Sequence, residues 1–314
     1  MLTLAAAPVA AAPQRVASLD LCADELVLRL AAPGQLVSVS RLGADPAETT
    51  LSPRARGLFR NHGKLSDVAA LAPDLVITSG GIGGGLAATL AARLHIRVLA
   101  LPSVQDIAGV RSNVRLVAAA LGQRAAGEAE VARFDARLGP LPGRTRSALL
   151  IGSGGTTPSA TGLTAAFLRY AGLRQQPSNG AVRLETLLAN PPEIVVHSQY
   201  HAGQTSLGTL WLEHPAWRRL PASVRQLSTD GRPWTCLGPE LGAEIVRLRQ
   251  RLGASVSRDA TAIQTPDLTL QPASPAKAGV QLGATSDAAR TWAPAFAGEA
   301  GEILLVHLLE QQPR

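Results

Sequence analysis

Leu65-Ser-Asp-Val-Ala-Ala-Leu-Ala-Pro-Asp-Leu-Val-Ile77 and Leu184-Glu-Thr-Leu-Leu-Ala-Asn-Pro-Pro-Glu-Ile-Val-Val196 are two copies of one pattern. Each opens with apolar residues at helical spacing, turns on a proline followed by an acid, and ends in an unbroken apolar run. Such a run suits a strand covered on both faces. A helix leading straight into a buried strand is half of a βαβ unit, and two copies in one chain predict two similar αβ lobes.

Working outward, strand-type runs fall at 15–19, 36–40, 74–78 and 96–101, separated by helical patterns at 23–31 and 86–94. After residue 140 the alternation restarts, with strands at 148–151 and 193–197 and helices at 161–171, 183–189 and 238–252. Between the blocks, apolar residues from Val104 to Leu138 recur at three- and four-residue steps. They predict one long helix, with Ser103 as N-cap and Gly122 as the place for a kink. Straight, it would extend roughly 54 Å, a strut between lobes. The expected fold is α/β: two Rossmann-like lobes with central parallel sheets, joined by one long α-helix, with a ligand cleft between the lobes. The first lobe is expected over 13–102, the linker over 103–139 and the second lobe over 140–254.

The chain has 314 residues, 46% hydrophobic and 17% charged, enough for two modest cores and too apolar for general disorder. No stretch of about 20 apolar residues free of charge is available to span a bilayer. A net charge of +7 raises nucleic-acid binding, but the base is nearly all arginine, scattered singly or in short pairs, and aromatics are only 3%. No basic stripe with interleaved stacking rings results, and GC-rich codons account for the arginine, so nucleic acid is not an expected partner. Two cysteines are too few for a disulfide scaffold or a zinc ribbon.

Residues 1–12 are a short apolar run ending in small residues, expected to be the remnant of a secretory signal cleaved near Ala11 or Ala12. Residues 255–314 differ from the rest. Two octets there, Ser274-Pro-Ala-Lys-Ala-Gly-Val-Gln281 and Trp292-Ala-Pro-Ala-Phe-Ala-Gly-Glu299, read as the two arms of an inverted DNA repeat, matching except at Val280. The tail is therefore expected to be a disordered read-through appendage. Residues 1–255 carry 26 basic and 17 acidic side chains, so the positive excess belongs to the body.

In an open αβ sheet, ligands bind at the carboxyl ends of the strands. Those loops supply the candidates Asp20, Leu21 and Cys22, then Gly80 and Gly81, Gly154, Tyr200 and His201, and finally Trp234 and Cys236. The glycine clusters do not complete a dinucleotide fingerprint or a P-loop, so they are read as room for a bulky ligand, and no cofactor is expected. His197 and His201 have metal-ligand spacing, but His197 ends a strand and no glutamate stands beside it, so no metal site is assigned. No Ser, His and acid set is singled out, and nothing demands catalysis.

The stretches Arg15-Val-Ala-Ser-Leu-Asp-Leu-Cys-Ala-Asp-Glu-Leu26 and Asn61-His-Gly-Lys-Leu-Ser-Asp-Val68 with the strand that follows, the long helix, and the 182–196 segment resemble the periplasmic substrate-binding proteins of ABC importers for iron-siderophores and vitamin B12. The resemblance covers residues 15 to about 252 and leaves out the tail. It implies a non-enzymatic, monomeric receptor in the periplasm, peripheral to the inner membrane. Such a receptor captures a metal chelate, corrinoid or iron-siderophore, and delivers it to an ABC permease and its ATPase. It also implies that Trp234 presents its ring to the ligand, and that Asp67 and Glu185 dock to permease arginines, although the family glutamate of the first lobe aligns with Ser66. Cys22 and Cys236 have three open states: bridged across the cleft, ligating a metal, or free. The competing class is a cofactor- or metal-binding enzyme on a similar two-lobed scaffold.

Overall fold

A computed structural model describes residues 12–82, 84–178, 180–200 and 214–253. The expected tail and nearly all of the expected signal remnant lie outside the described residues. In the first lobe, β1 (Val16–Ser18), β2 (Leu36–Ser40), β3 (Phe59–Asn61), β4 (Leu75–Thr78) and β5 (Arg97–Ala100) form a parallel sheet of order β3-β2-β1-β4-β5. In the second, β6 (Arg146–Ile151), β7 (Leu173–Gln175), β8 (Ile194–Gln199) and β9 (Arg225–Asp230) form a parallel sheet of order β7-β6-β8-β9. The two sequence copies occupy equivalent places. In the first, α2 (Leu65–Val68) and a 3-10 turn lead into β4, and in the second α7 (Leu184–Ala189) leads into β8.

Both strands sit beside the first strand of their lobe, where the order reverses and the connections leave on opposite faces. Every residue of β4 is buried, as are the first four of β8, which is why both read as continuous apolar runs rather than alternation. The remaining helices are α1 (Leu21–Leu30), α3 (Gly85–Arg93), α6 (Leu163–Tyr170), α8 (Pro233–Cys236) and α9 (Leu241–Gly253). No described helix is long and apolar enough to cross a membrane.

The connector differs from expectation. It is two helices, α4 (Ile107–Ala120) and α5 (Arg124–Leu138), folded back on one another. Arg111 Nε donates to Asp135 at 2.8 Å, and Arg115 Nε to Glu128 at 2.8 Å. In one straight helix, Arg111 and Asp135 would stand about 36 Å apart. The reversal runs through Gly122, whose φ of +72° lies in the left-handed region that glycine enters without steric cost. Close approach is permitted by Gly127, since a Cβ there would come within 2.4 Å of the Ala118 Cβ. The hairpin still ties the lobes together. Val114, Val117, Leu121 and Val131 pack in the first core, while Ile107, Val110, Phe134 and Leu138 pack in the second.

Candidate functional site

The cleft is built where α1 of the first lobe faces the segment that follows β9 in the second. Asp20 opens α1 as its N-cap, its Oδ1 accepting from the Ala23 N–H at 3.0 Å. The same carboxylate accepts from Thr78 Oγ1 at 2.8 Å, the Ser79 N–H at 2.7 Å and Ser79 Oγ at 2.5 Å. Asp20 therefore clamps the end of β1 to the end of β4, and its acceptor capacity is spent inside the protein. Asp20 thus joins two strand ends, and Leu21 packs into the fold.

Cys22 and Cys236 form a disulfide, with Cα atoms 5.2 Å apart. It joins α1 to α8, and hence one lobe to the other, which resolves the three states left open by the sequence. Around it, one face of α1 reads the following segment step by step. Cys22 meets Cys236, Glu25 Oε2 lies 3.9 Å from where a Cβ on Gly238 would sit, and Arg29 pairs with Glu240. Residues i, i+3 and i+7 share a helix face, so this docking follows from helical geometry. Thr50 Oγ1 also donates to Glu240 at 2.9 Å, Tyr200 Oη to Glu48 at 2.5 Å, and Arg232 to the Pro46 carbonyl at 2.9 Å. All of these contacts cross between the lobes.

Beside the bridge lies a cavity of ≈ 270 Å³. Its walls include Cys22, Glu25 and Ser79 from the first lobe, Leu163 and Cys236 from the second, and Val104 where the chain crosses between them. Asn113 also lines it, held by its donation to the Pro102 carbonyl at 3.0 Å. The volume is close to the lower end, ~300 Å³, of ordinary small-molecule sites.

Two buried carboxyls neighbour each other on α1: Glu25 lines this wall and Asp24 precedes it. Burial pushes Glu25 up to about 7, against the opposing pull of Arg29 and a hydrogen bond from Thr49. Burial likewise pushes Asp24 up to about 6, although the Ser40 hydroxyl and N–H donate to it. Desolvation lowers Arg29 from its ordinary range, partly offset by Glu130 and Glu25. Tyr200 is pushed up to about 12, first by desolvation and then by its bond to Glu48.

Trp234 departs most from expectation. Its ring is 1% exposed and packs in the second-lobe core, and its Nε1–H donates to Thr229 Oγ1 at 3.0 Å. The short helix α8 points Trp234 inward and, two residues on, Cys236 toward α1. In this structure Trp234 is core, with no face offered to a ligand. Gly80 and Gly81 follow β4 at the cleft end of the sheet, and Gly154 follows β6 with φ of +67°. His201 lies outside the described residues.

Asp67 and Glu185 occupy the first turns of α2 and α7, the two copies of the repeated pattern. Glu185 is exposed, while Asp67 accepts from the His62 N–H at 2.9 Å, a bond that holds its carboxyl below the usual range. Glu25 and Asn113 were not among the sequence candidates. The available signal for Glu25 was its place one helical turn after Cys22, whereas Asn113 belongs to a helix read as strut.

No family model and no curated protein sequence matches the chain. Solved structures do. The periplasmic heme-binding protein BhuT, in complex with two hemes, is 23% identical with a TM-score of 0.58, the match covering 76% of this chain and 97% of that one. A periplasmic heme-binding protein from Pseudomonas aeruginosa is 21% identical with a TM-score of 0.55, covering 76% and 92%. HutB of Vibrio cholerae, another periplasmic heme-binding protein, is 17% identical with a TM-score of 0.62, covering 76% and 99%. The chain has the two-lobed fold of the periplasmic binding proteins.

Proposed function

We propose that this chain is the solute receptor of an ABC importer, working in the periplasm, and that it captures a metal chelate between its lobes and hands it to a permease driven by an ATPase. The observation that carries the reading is the cleft itself. Ser79, just after β4, and the 235–239 segment, just after β9, meet α1 around one cavity, so the carboxyl ends of both parallel sheets contribute to it. The heme named for the similar structures joins the corrinoid and iron-siderophore as candidate cargo, and the basic body suits a chelate that carries carboxylates.

Docking to the permease falls to Asp67 and Glu185, at equivalent places on the two lobes, acting as a monomer at the membrane surface. Exposed single pairs contribute roughly 0–1 kcal/mol each, so these acids set orientation more than affinity.

The test is a titration of purified protein with hemin, cyanocobalamin, a ferric hydroxamate and NAD, followed by absorbance and tryptophan fluorescence. Saturable one-to-one binding of at least one chelate, with none of NAD, is expected. Binding of NAD alone would overturn the receptor reading.

A further inference from the structure

The Cys22–Cys236 bridge joins two lobes at the mouth of the cavity, and both of its residues are also wall of that cavity. Both cysteines are half-buried. Among the described residues, polar contacts across the same seam include Arg29 with Glu240, Thr50 with Glu240, Tyr200 with Glu48, and Arg232 with the Pro46 carbonyl. The Thr50 and Arg232 contacts are exposed and water replaces them at little cost, whereas Arg29 with Glu240 and Tyr200 with Glu48 are shielded from solvent. The larger apolar cores lie within each lobe and along the α4–α5 hairpin.

We propose that the Cys22–Cys236 disulfide is a redox gate on the cleft. Oxidised, it fixes the lobes at one separation and slows entry to the cavity; reduced, it releases the lobes and ligand enters faster. The reductant is a dithiol. One of its thiolates attacks a bridge sulfur, the S–S bond breaks, and the second thiol closes the dithiol to its own disulfide. Two electrons pass to the bridge, and the two protons of the dithiol end on Cys22 and Cys236. The gate rests on the receptor reading above only for the identity of what enters.

The experiment compares oxidised protein, dithiothreitol-reduced protein and the C22S/C236S variant. Thiol titration of folded protein is expected to find no reactive thiol before reduction and two after. In the reduced protein and the variant, hydrogen exchange over 46–51 and 236–241 is expected to rise at least tenfold, and the radius of gyration to increase. Hemin, used as the probe, is expected to associate at least fivefold faster than with oxidised protein. Unchanged exchange and scattering on reduction would overturn the gate, as would opening without any change in hemin association. Should the variant fail to fold, reduced wild type carries the same readouts. If no chelate binds either form, the receptor reading fails, and exchange and scattering still decide whether the bridge holds the lobes.

Discussion

Glu25 shows how one side chain couples the cleft to stability. Its carboxyl is buried at the lobe seam, with a hydroxyl donor at 3.3 Å and an arginine on the same helix, and burial outweighs both. The folded protein therefore holds the proton more tightly than the unfolded chain does. Below pH 4.5 both states are protonated and nothing is lost. As pH rises through about 7, ionisation must occur inside the fold and stability falls. Asp24, raised to about 6, adds to the same trend over a window beginning nearer pH 4. Each tenfold difference in proton affinity is worth about 1.4 kcal/mol, so the Glu25 contribution has a ceiling of ~3 kcal/mol. Glu25→Gln is expected to stabilise the protein by ~1–3 kcal/mol at pH 8 and by little at pH 4. Urea midpoints across that range check it; equal effects at both ends would show that Glu25 ionises freely.

At the scale of elements, the α4–α5 hairpin rests on small residues. A side chain at Gly127 meets Ala118 on the facing helix, so Gly127→Leu must push the helices apart. The expected cost is ~1–3 kcal/mol, read from the shift in denaturation midpoint. Gly143→Ala, where no atom lies within 4 Å of the added carbon, serves as the control and should leave the midpoint unchanged. The same hairpin shows what the sequence discloses. Central strands were legible because β4, β6 and β8 are apolar runs buried on both faces. Of the edge strands, β5 was legible as the run 96–101, but β3 and β9 were not: Phe59-Arg-Asn61 is short and largely exposed, and Arg225–Asp230 reads as polar loop. Nor was the reversal, since the apolar period runs through both helices and only Gly122 marks the turn. For the site, the strand-end loops placed both cysteines at the cleft. The inward turn of Trp234 depends on the pitch of a four-residue helix, and the stripe Cys22, Glu25, Arg29 gains meaning only from its partner segment in the other lobe.

Over the whole molecule, two ties connect the lobes: the hairpin, buried in a core at each end, and the disulfide across the seam. The cysteines are 214 residues apart, so closing that loop restricts the unfolded chain by an amount worth up to ~5 kcal/mol in the chain-entropy model. The bridge also decides whether the lobes unfold together. Trp217 and Trp234 both pack in the second lobe, and the first lobe contains no tryptophan. In a Trp211→Phe, Trp292→Phe background, tryptophan fluorescence thus follows the second lobe, while far-ultraviolet circular dichroism follows both. For oxidised protein in urea, the two transitions are expected to coincide, as in a single cooperative step. After reduction, the midpoint is expected to fall and the two curves to separate, because each lobe keeps a core of its own while the seam has lost its covalent tie. Curves that stay superimposed after reduction would mean that the hairpin alone couples the lobes, and that the bridge contributes stability without governing their independence.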